Sequence, residues 1–251
     1  MVTSLKSSIP SARPADKWSA DEARAWWKQY TDIVSATRAN GALRIVRMMF
    51  EILVESGARR DDPGKLLKRR RVPQTGLSHL PSSENFEAIL QSIRTLTHPA
   101  AKESADFVEW LAWSGMRVNE ARHFRWEDEG EQWLEVTGGP NGTKNHRARF
   151  IPKFARLAEI LDRRRHPGAT GPIFSIKSPR FALTNACKRL GIPHIRIHDL
   201  KHLFMTTGIE KGIDIPTVSK WGGHQDGGVL AMRTYGHIRD DHSLSEARKM
   251  A

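Results

Sequence analysis

The sequence predicts a mostly α-helical protein with one small antiparallel sheet, divided into two domains. Three observations support this. Apolar residues recur at helical spacing through most of the chain, as in Leu43, Val46, Met49, Phe50 and Leu53. A hairpin signal, Gly138-Gly139-Pro140-Asn141-Gly142, lies between two short strand-like runs. The turn-rich stretch Val72-Pro73-Gln74-Thr75-Gly76 interrupts the helical pattern and marks a boundary. With 251 residues, the chain is long enough for two modest domains and for a core that needs no staples.

Residues 1–16, rich in Ser, Pro and Ala, are expected to form a loose arm. Ser19 then precedes Ala20-Asp21-Glu22, a helix start whose acidic first turn suits the dipole. Trp26, Trp27 and Tyr30 give that helix an aromatic face. A second helix is expected over about 39–55, closed by Gly57. Together these fill a helical domain over 17–72, followed by a linker over 73–82. The second domain, 83–240, opens with a helix that starts at Pro81-Ser82-Ser83-Glu84, and its next helix covers 104–114 and is capped by Gly115. Strands are expected at Trp133–Thr137 and Arg147–Ile151, and helices at 153–165, 178–190, 199–211 and 215–221. A tail over 241–251 closes the chain.

Composition narrows the function. Hydrophobic residues make up 39% and mean hydropathy is −0.52, an ordinary globular profile. The single cysteine, Cys187, excludes an internal disulfide and any multi-cysteine metal site, and a reducing, cytoplasmic compartment is expected. Ile45–Val54, the most apolar stretch, is interrupted by Arg47 and Glu51, so no membrane partner is expected. Forty Lys and Arg face twenty-eight Asp and Glu, a net charge of +12. That excess points to a polyanionic partner, nucleic acid before any other. A solvated basic surface or a ribosome-like binder is the alternative on charge alone.

Several segments carry chemistry. Arg117 follows a helix-ending glycine and opens the next helix, where backbone N–H groups favour an anion. Lys144 and Arg147 head the second strand, and read alone they are edge charges. In His198-Asp199-Leu200-Lys201-His202, helical spacing lets His198, Lys201 and His202 share a face while Leu200 and Leu203 turn to the core. His194, His198 and His202 are four apart, but Pro193 and the lack of an accompanying carboxylate pattern argue against a metal site. Trp221-Gly222-Gly223-His224 and Thr234-Tyr235-Gly236-His237 follow. Tyr235 is one of only two tyrosines.

In order, Arg117, Lys144, His198, Lys201, His224 and Tyr235, with Gly115-Met116-Arg117-x-x-Glu120 and Thr217-Val218-Ser219-Lys220-Trp221-Gly222-Gly223-His224, resemble the tyrosine recombinase/integrase family over about residues 80–240. The first 75 or so residues look like its helical core-binding domain, shortened. The resemblance implies a two-domain clamp on double-stranded DNA that cuts and rejoins strands through a covalent 3′-phosphotyrosyl intermediate, with no metal or ATP cofactor. Arg117, Lys201 and His224 would steady the phosphate, with His198 as an assisting base. Lys144 would protonate the leaving oxygen, and Tyr235 would attack. Glu120 and His202 would support them. Phosphate contacts are expected from Arg59, Arg60, Lys65, Lys68, Arg69, Arg70 and Arg71, and from Arg147. The resemblance further implies inverted-repeat core sites, a tail that docks on a neighbouring protomer, dimers and tetramers on DNA, a mobile-element or chromosome-maintenance role, and association with the nucleoid of a prokaryote.

Two departures from the family pattern stand out. Lys201 occupies the place of the family's second arginine, and a point charge does not replace a planar fork. Such a loss costs about 2–4 kcal/mol in the transition state, roughly 30- to 1000-fold in rate. Slowed cleavage with nearly full DNA binding is therefore expected. The alternative is an occluding or architectural DNA-binding protein on a recombinase scaffold; a relaxing topoisomerase is a third reading. The second departure is the interval of eleven residues from His224 to Tyr235, longer than usual in the family, with glycines at Gly227 and Gly228.

Overall fold

The structure is a computed structural model that describes residues 14–72, 79–139, 142, 148–224 and 232. The chain divides into two compact units, Met1–Thr75 and Gly76–Ala251. Among the described residues the fold is mostly helical with one two-stranded antiparallel sheet.

The first unit is built on α1 (Ala20–Ile33) and α2 (Ala36–Glu55). Ser19 and Glu22 form a capping box: the Glu22 N–H donates to Ser19 Oγ at 3.2 Å and the Ser19 N–H to Glu22 Oε2 at 2.7 Å. The aromatic face of α1 is buried, with Trp26 and Tyr30 stacked at 5.3 Å, against Leu43, Val46 and Phe50 of α2. The basic run that follows is anchored through its backbone. Arg47 donates to the carbonyls of Gly64 and Leu67 at 3.1 and 2.6 Å, and Trp27 Nε1 to that of Lys68 at 3.1 Å. Asn40 pairs with both the N–H and the C=O of Arg70 at 2.8 Å. The side chains of Arg60, Lys65, Lys68, Arg69, Arg70 and Arg71 are left exposed.

Arg59 is a correction to the phosphate-binding set. Its side chain is only 7% exposed and bridges to Asp61 at 2.9 Å. Its Nη1 donates to the carbonyls of Asp16 and Trp18 at 2.8 and 2.7 Å. A guanidinium so engaged ties the chain entry to the end of α2 and offers no face to a phosphate. The same bonds draw residues 15 and 16, expected in a loose arm, into the first unit.

The second unit centres on α4 (Ala101–Ser114), which packs on α3 (Ser83–Arg94), α5 (Val118–His123), α6 (Ala155–Arg164), α7 (Arg180–Leu190) and α8 (Ile197–Glu210). Its aromatic core stacks Phe107 on Phe174 at 4.2 Å, and Trp110 meets Phe124 at 5.2 Å. Buried Glu109 is paired by Arg94, Arg156 and Arg163, which join α3, α4 and α6. Strands β1 (Trp133–Val136) and β2 (Arg149–Pro152) pair with Val136 opposite Arg149. The last helix described, α9 (Ile215–Gly222), packs on α8 and β2.

Boundaries differ from expectation where caps decide them. The helix expected at 199–211 begins at Ile197, because the Asp199 carboxylate reaches back to accept the Arg196 N–H at 2.8 Å. The strand expected from Arg147 begins at Arg149 within the described residues. No described helix is long and apolar enough to cross a membrane.

Candidate active site

Gly115 ends α4 with φ 61, and a Cβ there would lie 2.4 Å from Phe204 Cδ1. Its absence lets α8 press against the turn before Arg117. Arg117 occupies the N-cap of α5 and is bound twice to Glu120: its N–H to Oε2 at 2.9 Å and its Nη1 to Oε1 at 2.9 Å. Glu120 is buried at 3% exposure.

A second guanidinium completes that carboxylate. Arg149 Nη2 donates to Glu120 Oε2 at 2.7 Å, and its Nε to the Trp221 carbonyl at 2.8 Å. Burial works to raise the Glu120 pKa, but the hydrogen bond and charge of Arg149 and the hydrogen bonds of Arg117 outweigh it and bring it down to about 2. The sequence reading missed Arg149. Strand alternation indicates which face a residue takes, and nothing local reveals partners 29 and 72 positions away.

Lys201 enters from α8 at 4% exposure. Its Nζ donates to the Gly115 carbonyl at 3.2 Å and, in a short contact, to the Gly222 carbonyl. Burial, followed by the charges of Arg117 and Arg149, pushes its pKa down to about 7. His198 and His202 stand one turn apart on the same helix, ring centroids 5.1 Å apart and nearly perpendicular. Burial lowers both pKa values; for His198 the charges of Lys201 and Arg117 add to the effect. Both shifts favour the neutral imidazole. Asp199 is fully buried beneath them, paired with Arg196 at 2.8 Å and His79 at 3.4 Å.

His224 follows the end of α9, its N–H donating to the Ser219 carbonyl at 3.0 Å. The carbonyls of Trp221 and Gly222, at the negative end of the helix, are held by Arg149 from β2 and Lys201 from α8. The structure thus brings Arg117, Glu120, Lys201, His198 and the His224 turn to one place. Lys144, Arg147 and Tyr235 lie outside the described residues. Among those described, no group of three or more His, Cys, Asp or Glu side chains is placed to hold a metal.

Chemically the site is an anion receptor. Two guanidiniums share a single carboxylate with a buried lysine close by, and that lysine's pKa is lowered first by burial and then by the charges of Arg117 and Arg149.

The sequence profile of the phage integrase family matches residues 82–242. Tyrosine recombinase XerC of Erythrobacter litoralis (strain HTCC2594) is 27% identical over 228 residues, an alignment covering 83% of this chain and 71% of the relative. The Tn1549 transposon integrase, solved with transposon right end DNA, superposes with a TM-score of 0.74 at 15% identity over 98% of this chain and 90% of that one. The lambda integrase tetramer bound to a Holliday junction gives a TM-score of 0.73 at 15% identity over 92% of this chain and 68% of that one.

Proposed function

The chain belongs to the phage integrase family, and from that premise we propose that it cleaves and rejoins duplex DNA at specific sites through a covalent 3′-phosphotyrosyl intermediate. The observation that carries this reading is the pairing of Arg117 and Arg149 with the one Glu120 carboxylate, with Lys201 buried beside them within reach of their charges, an excess of positive charge suited to a phosphodiester. A phosphodiester repels nucleophiles, and cations set around its non-bridging oxygens lower the barrier as charge builds in the transition state.

In this reaction the Tyr235 oxygen forms a bond to phosphorus while the bond to the 5′-oxygen breaks. A phenol ordinarily holds its proton up to a pKa of about 10, so it must be relieved of it during attack. Neutral His198 accepts or relays that proton, and Lys144 delivers one to the leaving oxygen. Arg117, Lys201 and His224 face the phosphate. Glu120 never reacts; it stays ionised and orients the guanidiniums. The phosphotyrosine conserves the bond energy, so a 5′-hydroxyl of another strand reverses the step with no cofactor. The first unit, with its exposed Lys68, Arg69, Arg70 and Arg71, grips the duplex. Assembly follows the dimers and tetramers in which lambda integrase is seen on DNA.

Lys201 slows cleavage, because its charge is costly to keep and two of its three donors are committed to backbone. The same observation favours a second reading, an occluding DNA-binding protein with little catalysis. A nicked suicide duplex, assembled from the sequence the purified protein selects out of random DNA, separates the two. The expected outcome is a covalent complex that Tyr235→Phe abolishes and Lys201→Arg raises by about tenfold or more. Absence of any tyrosine-dependent complex, with binding intact, would favour the occluding protein.

A further inference from the structure

We infer that Arg149 is the second guanidinium of this site, a positioning residue that holds Glu120 and the carboxyl end of α9 in place of the fork that position 201 lacks. The inference rests on the reaction proposed above and adds a residue to it.

Three observations support it. First, Lys201 cannot serve as that fork. It is a point donor, 4% exposed, with two of its three N–H groups engaged by the carbonyls of Gly115 and Gly222. Second, Arg149 has the geometry position 201 is missing. Its Nε and Nη2 reach two different elements, the Trp221 carbonyl at 2.8 Å and Glu120 Oε2 at 2.7 Å, with both donors fixed in one rigid plane. The backbone makes room for it: a Cβ on Gly223 would stand 3.1 Å from its Cζ, Nε and Nη1.

Third, its partners are those of the catalytic groups. Glu120 Oε1 holds Arg117 Nη1, so the two guanidiniums are oriented through one carboxylate. The Trp221 carbonyl adjoins that of Gly222, which holds Lys201, and His224 comes two residues later. Arg149 therefore fixes Arg117 from one side and the His224 turn from the other. An arginine at 201, longer and forked, would take up part of this duty, so the two positions should depend on each other.

The test uses the full-length protein and the nicked duplex described above, with covalent complex formation timed at saturating DNA and affinity measured separately. Arg149→Gln is expected to slow the step about 100-fold or more, the scale of losing one preorganised donor. Arg149→Lys keeps the charge, loses the fork, and slows it by about tenfold or more. Affinity for the duplex stays within about threefold for both, since phosphate contacts elsewhere dominate it. In the Lys201→Arg background the loss from Arg149→Gln shrinks to about tenfold or less, the coupling expected of residues in one network. Should Arg149→Gln melt at the assay temperature, Arg149→Lys carries the comparison.

Equal fractional losses in both backgrounds, or full activity with lysine at 149, would overturn the inference and leave the proposed reaction standing. Absence of covalent product from every variant, including Lys201→Arg, would instead overturn the proposed reaction, and this inference with it.

Discussion

Lys201 is the residue on which the site's energetics turn. In the unfolded chain its ammonium persists to the ordinary value of 10.5, and in the folded protein only to about 7. Between these values the unfolded state binds more protons, so stability rises with pH across that window, while below it the penalty is present in full. Lys201→Met removes the titration. Denaturant melts from about pH 7 to 10 should show the parent gaining on the variant by up to about 1.4 kcal/mol per pH unit; parallel curves would refute the assignment. The order and spacing of Arg117, His198, Lys201 and His224 are legible in the sequence because each lies in a local motif. Arg149 is not, since its importance comes from two partners in distant segments. The misreading of Arg59 has the same origin: a charge run looks solvated until the carbonyls it caps are seen.

At the scale of elements, the contact between the Gly115 turn and α8 brings the Arg117 and Lys201 segments together. Gly115→Ala combines left-handed backbone strain of about 1–2 kcal/mol with a Cβ 2.4 Å from Phe204, an overpacking cost of about 1–3 kcal/mol. Gly57→Ala is the natural control, since its φ is 73 and nothing lies within 4 Å of the added atom. Thermal melts should show a larger loss for Gly115→Ala; equal losses would mean the Phe204 contact is unimportant. Periodicity predicts the existence and type of these helices well, and the antiparallel hairpin follows from its glycine-rich turn. Their ends were harder to read. The first turn of α8 depends on Asp199 folding back onto Arg196, a side-chain choice that hydrophobic spacing does not encode.

At the scale of the whole molecule, the net charge of +12 favours a polyanionic partner before any residue is placed. Binding to duplex DNA should weaken steeply with salt, and neutralising Lys68 and Arg69 together should lower the slope of log affinity against log salt by about two. A slope unchanged by those substitutions, measured by titration at several salt concentrations, would remove the first unit's basic run from the interface. The division into two units was signalled by turn chemistry near residue 75, whereas the anchoring of the preceding basic run to α1 and α2 was not.

The pairing of Val136 with Arg149 has a mechanical consequence. Successive strand residues point to opposite sides, so a slip of β2 by one position would swing the guanidinium outward and bring Phe150 or Ala148 to its place. Glu120 and the Trp221 carbonyl would lose their clasp in the same movement. The register of this one strand pair therefore decides whether Arg149 can clasp both partners at once.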